Sequence, residues 1–249
     1  MLRVALLSLI LCGGLAIVDG EASAAREAQT VAEQYDRGIR YMERGYYTKA
    51  VEAFNRIRNY YRDDPYAVRA ELAIADVYFQ KHEWDQARLA YDDFMRMHPR
   101  NESLDYVVFR LGLTLYNKAP KAAGRDQTWS RQAINTWAGF DSRFPDSDHR
   151  EDVQRHLTEC RERLARKEIL IARFYERREA WTSVLGRVNG VIRTYPDSEY
   201  VTEALSLKTL AYAYLGDVAL AEATLERVQE IDPEQAERLS RKLDGIPNP

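Results

Sequence analysis

The chain has 249 residues, 45% of them hydrophobic and 30% charged, and a formal net charge of −3. That mixture excludes a disordered acidic tail, a collagen-like fibre and a polytopic membrane protein. A near-neutral balance without a basic block also excludes nucleic acid as the main partner, because phosphate binding needs clustered Lys and Arg.

At the N-terminus, Arg3 precedes an apolar run over 4–18 that is interrupted by Ser8, Cys12 and Gly13-Gly14. A small-residue site, Ala22-Ser23-Ala24, follows. Basic residue, apolar stretch and small-residue site together predict a secretory signal peptide over 1–24, and the run is short for a membrane span of about 20 residues. Cleavage after Ala24 is the favoured exit, with lipidation at Cys12 as the alternative. Leu11 before Cys12 is a poor match to the small residue that precedes an acylated cysteine. Cleavage leaves one cysteine, Cys160, expected to be buried as a small hydrophobe.

The body of the chain repeats. Four prolines, Pro99, Pro145, Pro196 and Pro233, have small or apolar residues 12, 8 and 5 positions upstream. The triplets are Ala87/Tyr91/Phe94, Ala133/Trp137/Phe140, Val184/Val188/Val191 and Ala221/Leu225/Val228. Such spacing puts each triplet on one face of a helix that the proline ends. A partner helix ends in an aromatic–turn–small pattern upstream of three of these triplets, at Tyr78/His82/Ala87, Tyr175/Glu179/Val184 and Tyr212/Gly216/Ala221, and the first repeat shows the same pattern at Tyr41/Gly45/Ala50. The aromatic packs from the first helix, the middle residue turns the chain, and the small residue lets the two helices approach. Pro65 fits a triplet counted from Ala53, but the first repeat is read in the Gly45–Ala50 register, with 62–65 as an extended connection. The predicted fold is all-α, a right-handed superhelical solenoid of about five tetratricopeptide repeats.

Two insertions stand out. The third repeat needs an extra loop over 117–129, containing Pro120, Gly124 and the run Arg125-Asp126-Gln127-Thr128; a long ordered loop on a repeat protein is a candidate contact surface. Ahead of the fourth repeat, 148–178 reads as one long charged helix with an apolar stripe of Leu157, Cys160, Leu164, Ile171, Phe174 and Tyr175.

No catalytic motif is present: no Gly-rich phosphate loop, no H-E-x-x-H zinc helix, no G-x-S-x-G nucleophile turn. His149 and His156 lie seven apart, but two ligands do not make a metal site. The reading is a non-enzyme with no cofactor and no metal.

The ordered set of features between the repeats resembles the BamD family, outer-membrane lipoproteins of the β-barrel assembly machinery. The most specific stretches are Asp105-Tyr106-Val107 leading to Arg110-Leu111-Gly112-Leu113, the Arg125-Asp126-Gln127 loop, and Phe144-Pro145-Asp146-Ser147. To these add Arg163-Leu164-Ala165 with Lys167-Glu168, and Tyr175-Glu176-Arg177-Arg178-Glu179-Ala180-Trp181 running into Arg187-Val188. The resemblance covers roughly 28–235.

It implies a scaffold at the periplasmic face of the outer membrane, held to the inner leaflet by a lipid or through BamA. Its implied partners are the POTRA repeats of BamA, other machinery subunits and unfolded outer-membrane β-barrel proteins. Repeats one to three, over 25–145, would receive substrate, and 146–249 would dock on BamA. Carried over by position, Arg187 with Trp181 is the candidate docking contact, and Arg125, Asp126 and Gln127 form a partner-binding loop. Tyr46, Tyr47 and Tyr66 are candidates for a groove that holds an extended peptide, since aromatics give contact area at low entropy cost. The alternative is another periplasmic tetratricopeptide adaptor serving cell division or cell-wall coordination; the lack of sustained heptads over 25–40 favours the first reading.

Overall fold

A computed structural model of the chain describes residues 30–246; the expected signal peptide and Cys12 lie outside them. Among the described residues there are twelve helices and no strand. In chain order they are α1 (Val31–Glu43), α2 (Tyr47–Tyr60), α3 (Pro65–Gln80), α4 (Trp84–Met97), α5 (Leu104–Lys118) and α6 (Thr128–Trp137). There follow α7 (Phe140–Arg143), α8 (Arg150–Glu176), α9 (Trp181–Thr194), α10 (Val201–Tyr214), α11 (Val218–Ile231) and α12 (Pro233–Leu243).

The chain divides into two compact units, one ending at Glu71 and one beginning at Leu72. In the first, α1 and α2 form a hairpin. In the second, α4 packs on α5, α5 on α6, α6 on α8, and each helix from α8 to α12 on the next. The expected boundary at 145/146 is therefore not a break in packing, because α6 and α8 lie against each other across it. α12 covers the last hairpin by packing on both α10 and α11.

Four of the five hairpins turn in the same way. Gly45, His82, Glu179 and Gly216 all have positive φ, at 74°, 59°, 56° and 81°. In each turn the next amide donates to the carbonyl of the aromatic residue five back: Tyr46 to Tyr41 (2.8 Å), Glu83 to Tyr78 (3.0 Å), Ala180 to Tyr175 (3.1 Å) and Asp217 to Tyr212 (2.9 Å). The left-handed residue itself donates to the carbonyl three back, at 2.9–3.1 Å. This pair of bonds is the Schellman arrangement that ends a helix with a left-handed residue. The residue after it accepts from Ala50, Ala87, Val184 or Ala221, so the small anchor residues close the first turn of each second helix. Glycine suits this backbone; His82 and Glu179 adopt it at a cost of roughly 1–2 kcal/mol each.

The prolines act one residue later than the helix. His98, Phe144, Tyr195 and Asp232 cap their helices with φ between −125° and −143°. The proline that follows each disfavours a helical conformation for it and brings no amide to continue the ladder.

The core is the set of predicted triplets, with the first repeat in the Gly45–Ala50 register, except that Leu225 is only partly buried and Thr224 takes the buried place on α11. Ala50, Phe54 and Ile57 are fully buried, whereas Tyr60, which the Pro65 register would bury, is 80% exposed. Ala87, Tyr91, Phe94, Ala133, Trp137, Val184, Val188 and Val191 are buried. Two readings need correction. The third repeat's second helix is not continuous to Phe140, because Gly139 takes φ 68° and starts the separate turn α7. The stripe of α8 leaves Phe174 41% exposed and runs instead through Ala165, Ile169 and Ala172. The second half of α8 is the first helix of repeat four, and Ala172, Val184 and Val188 share its core.

Glycine sets helix separation twice. A Cβ on Gly38 would lie 2.5 Å from Phe54 Cε1, and one on Gly112 would lie 2.2 Å from Trp137 Cε2. In both hairpins a large ring on the second helix rests against bare backbone of the first.

Candidate functional site

Arg187 lies on α9 with its side chain 42% exposed. Its Nη1 donates to Glu168 Oε2 of α8 at 3.0 Å. That bond and the Glu168 charge, with Tyr175 contributing, raise the guanidinium pKa above its ordinary value. A residue fixed on a rigid helix by one carboxylate keeps other N–H groups for a second. Close by in sequence, Arg173 ties α8 to α10 through Glu203 at 2.8 Å and also pairs with Glu176.

Trp181 opens α9 and stacks on Tyr214 of α10, with ring centres 4.2 Å apart and planes 4° from parallel. It packs against the cores of both repeat four and repeat five. It is thus first a joint between repeats, covered on one face by Tyr214. Beside that stack the α10–α11 turn leaves Tyr214, Leu215 and Val218 half-exposed.

The loop of the third repeat spans 119–127 and is ordered by its own side chains. Gln127 is fully buried; its Nε2 donates to the carbonyls of Pro120 and Ala122 at 3.0 Å, and its Oε1 accepts from Ser130 at 2.7 Å. Gln127 therefore shapes the loop rather than offering itself to a partner, which corrects its assignment as a contact. Arg125 and Asp126 are exposed. Asp126 accepts from the Thr128 amide and hydroxyl, and this bonding lowers its pKa. The loop's approach is pinned by Lys118, which pairs with Asp85 of α4 and sits 3.8 Å from the centre of the Trp129 ring.

The three candidate groove tyrosines do not converge. Tyr46 is 54% exposed and precedes α2, Tyr47 begins it, and Tyr66 follows it. The fourteen residues of α2 rise about 20 Å, so Tyr46 and Tyr66 stand at opposite ends of the hairpin. Lys49 lies over Tyr46 at 5.6 Å, whereas Tyr66 packs on Tyr35 at 5.3 Å beneath Arg69.

Cys160 is buried, and desolvation pushes its thiol up to about 11. His149 caps α8 and stacks on Phe109 at 4.5 Å, and His156 lies against Tyr116 and Trp137. Among the described residues no group of three or more His, Cys, Asp or Glu is placed to hold a metal, and no helix is long and apolar enough to cross a membrane.

One cluster escaped the sequence reading. Asp76 of α3 accepts from the phenols of Tyr91 (2.6 Å) and Tyr106 (2.8 Å), and Arg110 Nε lies 3.6 Å away. Burial raises the Asp76 pKa against the pull of these partners. The only signal in the sequence was the Asp105-Tyr106-Val107 to Arg110 stretch quoted above; the four residues come from three helices.

These hairpins, with their left-handed turns and small anchor residues, define the chain as a tetratricopeptide-type repeat protein. Residues 27–227 match the YfiO family, described as outer membrane lipoprotein. The chain belongs to that family, the BamD family of outer-membrane assembly factors. It is similar to the outer membrane protein assembly factor BamD of Neisseria meningitidis (strain Z2491), at 28% identity over 90% of this chain and 86% of the relative. Against the BamD of Haemophilus influenzae the identity is 28%, over 87% of each. Among solved structures, the TPR protein YrrB aligns over 89% of this chain and 97% of its own at 13% identity and a TM-score of 0.36.

Proposed function

We propose that this chain is a non-catalytic scaffold of the outer-membrane β-barrel assembly machinery, docking on the POTRA repeats of BamA and receiving unfolded outer-membrane proteins. The observation that carries this reading is the family match across nearly all the described repeats, 27–227, with relatives named as assembly factors. The repeats after 145 take the docking role. Arg187 supports it, because the guanidinium is half-exposed and held on a rigid helix by Glu168. The repeats before 145 receive substrate. The protein works at the periplasmic face of the outer membrane, reached by export and held by a lipid on Cys12 or through BamA.

The test is recovery of BamA from solubilised envelopes with tagged wild type, Arg187→Glu, and the swap Arg187→Glu/Glu168→Arg. BamA is expected with wild type and lost with both variants, since the swap restores the internal ion pair but not the outward charge. Rescue by the swap would assign Arg187 to internal packing alone. BamA missing from all three would make the protein an adaptor for another envelope complex.

A further inference from the structure

We propose that Arg110 is a preorganised receptor for a peptide carboxylate. The peptide context rests on the substrate-receiving reading above; the carboxylate preference rests on the geometry of Arg110 itself.

In an ordinary internal ion pair, the two-nitrogen fork of arginine faces its carboxylate. Here it does not. Arg110 meets its neighbours through Nε, which donates to the Tyr91 phenol at 3.3 Å and lies 3.6 Å from Asp76 Oδ1, beyond a hydrogen bond. Asp76 Oδ1 is already taken by the two phenols of Tyr91 and Tyr106. The guanidinium carbon sits 3.7 Å from the centre of the Phe79 ring and 5.6 Å from that of Tyr106. Phe79 is in turn braced edge-on by Trp84 at 5.3 Å.

The planar ion is therefore fixed in orientation by one hydrogen bond, one nearby anion and an aromatic face. Its side chain is 16% exposed. Among the described residues its hydrogen bond is made by Nε, and Nη1 and Nη2 donate none. An immobilised guanidinium with its fork unengaged matches the two oxygens of a carboxylate and loses little entropy on binding one. The carboxylate has two sources in a peptide, the chain terminus or an acidic side chain, and both present the same pair of oxygens.

The experiment uses the full processed protein and a dye-labelled ten-residue peptide of alternating Ser and Val in three forms. One has a free C-terminus, one is amidated, and one is amidated with a single internal Glu; binding is read by fluorescence anisotropy. The expected result is that the free acid, the Glu peptide or both bind about tenfold or more tightly than the plain amide. Which of the two gains identifies the source. Arg110→Gln and Arg110→Lys should both remove the preference while leaving helical circular dichroism as in wild type; lysine keeps the charge but not the fork. Equal binding of all three peptides, failure of both carboxylate peptides to bind, or a preference that survives Arg110→Gln would overturn the inference. Equal binding would leave the scaffold reading intact, since BamA recovery decides that separately.

Discussion

The contact between Gly112 and Trp137 makes a test whose sign reverses with context. A methyl on Gly112 would stand 2.2 Å from Cε2, 2.3 Å from Nε1 and 2.7 Å from Cδ2 of Trp137. The ring is fully buried, and its Nε1 donates to the Phe109 carbonyl at 3.3 Å, so it has nowhere to swing. Forcing the helices apart costs about 1–3 kcal/mol of packing, and losing the indole hydrogen bond about 1 kcal/mol more. Alanine returns roughly 1 kcal/mol of helix propensity over glycine. Gly112→Ala should therefore destabilise the wild type by about 1–3 kcal/mol. Trp137→Leu alone costs about 3 kcal/mol, but it empties the space the methyl needs. In that background Gly112→Ala should stabilise by up to about 1 kcal/mol. Urea denaturation followed by circular dichroism, on the two single variants and the double, measures each term. The same sign for Gly112→Ala in both backgrounds would refute the claim that ring and glycine set the helix separation.

Glu179 holds a left-handed backbone without the ease of glycine, so Glu179→Gly should raise stability by about 0.5–1 kcal/mol. Gly216→Ala should lower it by about 1 kcal/mol, and thermal denaturation of the two variants must show opposite shifts. Asp76 binds its proton more tightly in the folded chain than unfolded, because burial raises its pKa from 3.8. Its contribution to stability is thus present below 3.8 and falls as pH rises from there through the folded value. The pH dependence of the urea midpoint should lose that fall in Asp76→Asn, and an unchanged profile would count against it. Cys160, buried and with its thiol at about 11, should resist a thiol reagent at neutral pH in the folded protein and react once denatured; rapid labelling of native protein would mean that α8 opens.

The repeat itself was legible in the residues. Periodicity of 3.6 located the triplets, and the aromatic–turn–small spacing marked four turns, including the two where His82 and Glu179 stand in for glycine. These are local properties, since a helix face and a chain reversal are set within about ten residues. What the tertiary structure decided are meetings between helices far apart in sequence. Glu168 engages Arg187 from the preceding helix, and Tyr91 with Tyr106 takes up Asp76, with Arg110 Nε left 3.6 Å from that carboxylate. Gln127 turned inward, where its amide ties the carbonyls of Pro120 and Ala122 to the Ser130 hydroxyl across the loop. Phe174 left the apolar stripe because the second half of α8 aligns with repeat four rather than repeat three. A pattern along one helix says which face is buried. Which charge or ring stands opposite is fixed only when the neighbouring helix packs against it.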